Sequence, residues 1–235
     1  MVFERLLGSI EGGDVLDVGC GEGQFTEILI KSLKSFKTLT GVDVDRDPLE
    51  GARKSFPGPE FRFLEIRGNR FPFDAESFDL VAISKALHHI ENPRLTLEEM
   101  HRVLKAGGYF LINETHRDGL SHSQESQVLY HHLRSDIDNI LGISHNHTLH
   151  RSDLISLSEG LGLKDRVIAE FIPDDGNARD PEKIEEFSRK LDYWLPFIEG
   201  HPARDEIAGR IHSLKERFRE HGISRPPQLV ILGKK

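Results

Sequence analysis

Apolar positions fall into short runs and helical stripes that alternate along the first half of the chain. Residues 14–19 (Asp-Val-Leu-Asp-Val-Gly) are a short apolar run ending in glycines, after which Phe25, Ile28, Leu29 and Leu33 recur at helical spacing over 24–35. This predicts strand, glycine turn, helix. A second strand is predicted at 38–44, a short helix at about 48–54 and a third strand at 61–66. Runs at 78–84 and 109–113 bracket a helix that Asn92 caps and Pro93 opens, with Leu97, Met100 and Leu104 as its buried stripe and Gly107-Gly108 as its stop.

Strands alternating with helices imply right-handed crossovers and a mostly parallel sheet covered on both faces. Val15-Leu16, Leu80-Val81-Ala82-Ile83 and Tyr109-Phe110-Leu111-Ile112 are nearly continuous apolar runs, as central strands require, whereas residues 60–65 mix in charges and read as an edge. Beyond Asn113 the pattern lengthens. Helices are predicted at 123–141, from a Ser152 cap to Gly162, from Asp180-Pro181 through Ile198, and from Pro202 to Gly222, with strands at 163–172 and 229–232. Ligands of open α/β sheets bind at the carboxyl ends of the strands. Insertions at about 115–150 and 174–225 both leave from such ends, so they are expected to form a helical lid on one domain spanning 1–235.

Composition narrows the function classes. The chain has 235 residues, a net charge of −8 and no apolar run near the roughly 20 residues of a membrane span. The opening residues lack the pattern of a secretory signal, and a cytoplasmic protein without membrane or nucleic-acid partners is expected. A single cysteine, Cys20, excludes an internal disulfide. Thirteen histidines include His131-His132, His145, His147 and His150, but no Cys or acidic residue stands at ligand spacing there, so they read as a polar helix face and loop and no metal site is expected.

The turn Gly19-Cys20-Gly21-Glu22-Gly23 lets a ligand approach the backbone at a helix N-terminus. Gln24 stands where a dinucleotide fingerprint needs Gly or Ala, which disfavours a nicotinamide dehydrogenase, and no phosphate-loop motif occurs. Asp43 ends the second strand, where a carboxylate can accept both hydroxyls of a ribose. The crevice therefore suits a nucleoside carrying a small anionic group, with no demand for a pyrophosphate.

Five ordered blocks carry a resemblance: residues 15–23; Gly41-Val42-Asp43; Phe71-Pro72-Phe73 with Phe78-Asp79-Leu80-Val81; Ala86-Leu87-His88-His89-Ile90; and Arg102 to Gly108. Together they resemble the class I S-adenosylmethionine-dependent methyltransferases, nearest to the small-molecule branch that includes the ubiquinone and menaquinone C-methyltransferases. The resemblance implies a doubly wound, Rossmann-like sheet of seven strands, the seventh antiparallel and supplied by 229–232. It also implies S-adenosylmethionine as cofactor, with Gly19, Cys20 and Gly21 beneath its methionine part, Asp17 toward its amino group, Asp43 on the ribose, Val44 against adenine and Ser84 beside the sulfonium. Arg67 stands where the family often has an adenine-binding Asp, so adenine would be read by backbone near Gly68, by Asn69, or by stacking under the guanidinium.

Methyl transfer needs alignment and exclusion of water, and a base only for a protonated acceptor. His116 and His89 are the candidates by position. Trp194 and Tyr193 read as helix core, with an aromatic face toward an acceptor as the alternative. The expected function is methyl transfer to a small organic acceptor. The alternative is a catalytically silent protein that binds S-adenosylmethionine or S-adenosylhomocysteine.

Overall fold

A computed structural model describes residues 2–68 and 70–235 of the chain. Seven strands, β1 (Asp14–Val18), β2 (Thr38–Asp43), β3 (Phe61–Glu65), β4 (Phe78–Ser84), β5 (Leu104–Thr115), β6 (Lys164–Phe171) and β7 (Gln228–Lys234), form one sheet in the order β3-β2-β1-β4-β5-β7-β6. β1 to β5 pair in parallel, and β7 runs antiparallel to both its neighbours. The doubly wound, mostly parallel sheet predicted from the alternation is therefore the observed one, with β3 at an edge.

Both faces of the sheet are covered because its central strands are apolar throughout. Val15, Leu80, Ala82, Leu111 and Val230 pack against α1 (Val2–Leu7) and α2 (Gln24–Ser32), and α3 (Arg46–Ser55) covers β2 and β3 through Leu49, Ala52 and Phe63. On the opposite face Leu16, Val81, Ile83, Phe110 and Ile112 pack against α4 (Pro93–Val103) and α6 (Arg151–Glu159). Side-chain caps start several helices: Asp45 accepts from the N–H of Asp47, Asn92 from Leu95 and Asp180 from Glu182.

Three local expectations are corrected. The helix at 93 stops at Val103, and Leu104 pairs with Phe78 as the first residue of β5; Gly107 and Gly108 belong to that strand's irregular start. Only glycine fits at 108, where a Cβ would stand 2.8 Å from the carbonyl oxygen of Asp79. The helix expected at Ser152 begins at Arg151 after the cap residue His150, because Asp118 from a distant loop accepts the Arg151 N–H. α1 was not predicted: it is six residues long, and it packs through buried Phe3 and Leu7 with Val2 and Leu6 partly buried beside them.

The insertions supply α5 (His122–Ile140), α7 (Pro181–Trp194), a 3-10 turn (Leu195–Ile198) and α8 (Arg204–His221). α5 opens with a capping box, Ser121 and Gln124 each binding the other's backbone N–H. Leu133 and Ile137 of α5, Leu191 and Trp194 of α7, and Ile207, Ile211 and Phe218 of α8 share one apolar core. Segments separated by some 40 residues of sheet and helix thus fold as a single helical layer. No helix among the described residues is long and apolar enough to cross a membrane.

Candidate active site

The carboxyl ends of β1 and β2 meet at the glycine turn. Gly19 and Gly21 adopt positive φ (68° and 52°), and at Gly19 a Cβ would lie 2.5 Å from the Cβ of Ala86, so this position needs glycine for conformation and for space. The N–H groups of Gly19 and Cys20 donate to the carbonyl of Val42, and that of Gly21 donates to Asp43 Oδ2 at 2.8 Å. Asp43 Oδ1 accepts from the Asp45 N–H. The Cys20 side chain is buried against Leu49 and Phe63, with its thiol pKa pushed up by burial, so Cys20 offers the crevice its backbone only.

Asp17 lies at the bottom of this turn, fully buried. Its Oδ2 accepts from the Thr26 hydroxyl at 2.7 Å, whereas its Oδ1 has no hydrogen-bond partner among the described residues. Burial raises its pKa from 3.8 to about 7; the Thr26 hydrogen bond opposes this and the charge of Asp43 adds to it. An unpartnered buried carboxylate oxygen costs free energy unless a ligand donor reaches it.

From Asp17 a polar row crosses the strand tips on one face of the sheet. Ser84 pairs in register with Asn113, whose Nδ2 donates to Ser84 Oγ (2.8 Å) and to Gln228 Oε1 (3.0 Å). Asn113 Oδ1 is buried without a hydrogen-bond partner among the described residues. The row ends at Thr115 and Gln228, which wall a cavity of about 620 Å³ between the sheet and the helical layer.

Lys85, His88, His131, Phe187 and Arg225 also wall this cavity. Lys85 has φ 50°, a strained conformation for a non-glycine residue. Its ammonium makes no hydrogen bond or ion pair among the described residues, and burial followed by the charge of Arg225 pulls its pKa down. Two further cations of the wall are neutralised: Lys183 pairs with Asp175 and Lys190 with Glu186, each at 2.5 Å.

The structure separates the expected site residues. Asp17, Gly19, Cys20, Gly21, Asp43 and Ser84 gather at the strand tips, Val44 follows exposed, and Gly68 sits with positive φ in open space. Arg67 is exposed and pairs with Glu65 at 3.0 Å, beside Asp43 in the sheet register. Asn69 lies outside the described residues. His116 is not brought to the cavity. It faces the opposite side of the sheet from Thr115, its Nδ1 accepts from the Asp118 N–H, and its Nε2 is 3.3 Å from Glu170 Oε2 without hydrogen-bond geometry. His89 packs its ring on His88 and His145, and desolvation there, followed by the charges of those two rings, lowers its pKa to about 3. Trp194 is core and Tyr193 is exposed.

Sequence reasoning missed Lys85, His131 and Arg225. Lys85 follows β4 directly, and a strained residue after a central strand has no compositional signature. His131 reads in the sequence together with His132, His145, His147 and His150; in the structure it keeps His145 and gains His88, while His147 binds Asp136 and His150 binds Asp118.

Fold and site define a Rossmann-like α/β protein with a glycine turn after β1, a carboxylate at the tip of β2 and an adjoining cavity. Residues 16–112, which contain that crevice, match the family described as methyltransferase domain. Demethylmenaquinone methyltransferase of Staphylococcus aureus is 33% identical over 125 residues, 53% of this chain and 52% of that relative, so the chain spans about half the length of the curated relatives it matches. Among solved structures, an S-adenosylmethionine-dependent methyltransferase from Mesorhizobium loti aligns with TM-score 0.60 and 18% identity over 100% of this chain and 96% of that one. Phosphoethanolamine N-methyltransferase 2 from Haemonchus contortus, in complex with S-adenosyl-L-methionine, aligns with TM-score 0.59 and 16% identity over 99% of this chain and 51% of that one. At these identities the structural likeness is one of fold.

Proposed function

We propose that the chain transfers the methyl group of S-adenosylmethionine to a small organic acceptor held in the cavity between sheet and helical layer. The observation that carries the reading is Asp17: a buried carboxylate with one unpartnered oxygen, under a glycine turn that Asp43 ties to the next strand. That pair suits a molecule with an ammonium at one end and a ribose at the other. The glycine turn admits the cofactor's methionine part to the backbone, Asp17 takes its amino group, Asp43 accepts from the ribose hydroxyls, and Val44 lies against adenine. With Arg67 drawn to Glu65, adenine is read by backbone near Gly68.

When bound, the cofactor supplies an electrophilic methyl carbon on a sulfonium. Ser84 and Asn113 border the path from the turn to the cavity, and the helical layer of α5, α7 and α8 acts as the lid that keeps water out. Lys85 and Arg225 hold an acidic oxygen of the acceptor, such as an enolate, phenolate or carboxylate, as cations without a protein partner at a cavity wall can. An acceptor that is already ionised needs no base, in keeping with the place of His116 on the far face of the sheet. The Staphylococcus aureus relative is named for demethylmenaquinone, whose reduced, quinol form would present a ring hydroxyl of the kind this wall would take.

Calorimetry with S-adenosylmethionine and S-adenosylhomocysteine, followed by a methyl-release assay over a panel of phenolic, enolic and carboxylic metabolites, tests the reading. Binding with turnover of at least one acidic acceptor is expected. Binding without any transfer would favour a silent cofactor-binding protein, and absence of binding would overturn both.

A further inference from the structure

We infer that His88, His89 and His145 form a site for a divalent transition metal ion, of which zinc is the type, beside the cavity. The inference goes beyond methyl transfer and does not depend on it.

One ring nitrogen from each of the three histidines lies within 4.8 Å of the other two. Their rings pack on one another, with centroids 4.3 Å apart for His88 and His89 and 4.2 Å for His89 and His145. Three imidazoles converging at such distances present lone pairs to one point unless hydrogen bonds divert them. Two of the three are oriented by carboxylates on the other ring nitrogen. His145 Nδ1 donates to Asp138 Oδ2 at 2.8 Å, and His88 Nδ1 donates to Glu114 Oε1 at 3.2 Å. This carboxylate–imidazole pairing is the one metal-bound histidines use: it fixes the tautomer, turns Nε2 to the ion and raises its basicity.

The carboxylates are themselves held. Asp138 is paired with Arg134 one helical turn earlier, and Glu114, almost fully buried, also accepts the N–H groups of Leu87 and Thr115. The loop that carries His145 is fastened at both sides. The His145 carbonyl accepts from Ser135 Oγ and from Asn139 Nδ2, and Asn146 reaches across to the carbonyls of His88 and Ile90. Ligands drawn from the turn after β4 and from the loop after α5 therefore keep a fixed separation.

A set made of imidazole nitrogens selects zinc, copper or nickel over magnesium and calcium, which take oxygen. Tetrahedral zinc holds nitrogen at roughly 2.0–2.1 Å, which puts ligand nitrogens about 3.4 Å apart, so binding draws the three together by no more than an ångström or so. His131 Nε2, 2.9 Å from His145 Nε2, donates to it in the absence of an ion. On binding, that proton shifts to His131 Nδ1, which already stands 3.3 Å from Thr148 Oγ1, and the lone pair of His145 goes to the ion. Three protein nitrogens leave one position for water or an acceptor oxygen, the arrangement of zinc sites that keep an exchangeable ligand. His88 and His131 also wall the cavity, so this position adjoins the acceptor.

The test is zinc titration of the chelator-stripped full chain against a chromogenic competitor, with cobalt as a spectroscopic substitute. One zinc per chain is expected, with His89→Gln and His145→Gln each weakening it by at least ~100-fold and Asp138→Asn, which only orients a ligand, by roughly 10- to 100-fold. His89 keeps part of its ring at the surface, so His89→Gln retains the fold, and circular dichroism confirms it. Absence of stoichiometric zinc, or zinc held equally by wild type and the His89→Gln/His145→Gln double variant, would overturn the site. S-adenosylhomocysteine binding to the metal-free chain is measured in parallel. Its loss would count against the methyl-transfer reading and leave the zinc result standing.

Discussion

The Gly21 N–H donates to Asp43 Oδ2 at 2.8 Å, joining the first strand's turn to the tip of the second. One carboxylate thereby shapes the loop that receives one end of the proposed cofactor and stands where the other end would lie. Asp43→Ala removes both functions. S-adenosylhomocysteine affinity is expected to fall roughly 5- to 150-fold, the 1–3 kcal/mol scale of lost charged hydrogen bonds, and melting to occur earlier. Asp43→Asn, which keeps an acceptor for Gly21 but loses the one for the Asp45 N–H, should recover part of the melting temperature but not the full affinity. Calorimetry and thermal melts separate the two effects; unchanged affinity in Asp43→Ala would remove Asp43 from the ribose.

Asp17 gives the site a pH signature. Its folded pKa, about 7, lies above the ordinary 3.8 because burial disfavours the charge, so between these values the native state holds a proton that the unfolded chain has released. The stabilising contribution is complete below the lower value and disappears as pH rises through the upper one. Denaturant unfolding of wild type and Asp17→Asn should show the wild type losing stability relative to the variant from about pH 4 to about pH 7. An ammonium brought to Asp17 reverses the preference. Cofactor binding at about pH 6 should release close to one proton and at about pH 8 almost none, read from calorimetry in buffers of different ionisation enthalpy. Equal proton release at both values would place the ammonium elsewhere.

Lys85 should matter to transfer and not to cofactor binding. Lys85→Met is expected to lower kcat/KM for an acidic acceptor by roughly 10- to 150-fold while S-adenosylhomocysteine affinity stays within about twofold. An equal loss in both measurements would mean that the strained turn after β4, rather than the ammonium, is what the substitution disturbs.

From its place on the far face of the sheet, His116 is expected to act structurally. His116→Gln keeps a hydrogen-bond acceptor for the Asp118 N–H and a group near Glu170, so methyl transfer should persist within about threefold while the melting temperature falls by a few degrees. A loss of transfer with the fold intact would return His116 to the chemistry.

Much of this architecture is written locally. The continuous apolar strands, the Asn92-Pro93 and Asp180-Pro181 helix starts and the glycines after β1 each follow from nearest-neighbour chemistry, and each stands where the pattern puts it. What the sequence hides is tertiary. Asp118 caps a helix that begins 33 residues later, and Gly107-Gly108, which look like a helix stop, fit β5 against Asp79. The same holds at the site. Gly19 and Asp43 were legible from their places at the ends of strands, whereas Asp17 and Ser84 enter through the family resemblance; all four gather at the strand tips. The side of the sheet on which His116 falls depends on strand parity at the end of β5, and the meeting of His88, His89, His131 and His145 depends on how the loop after α5 folds back onto the turn after β4.

The central claim is that the turn of Gly19 to Gly21 receives the methionine end of the cofactor and Asp43 its ribose. A crystal structure of the full chain soaked with S-adenosylhomocysteine tests it most directly. The account predicts density for the amino group against Asp17 Oδ1 and for the ribose hydroxyls against Asp43, with the sulfur turned toward Ser84 and the cavity. Density lodged elsewhere, or a turn that stays bare at saturating ligand, would contradict it.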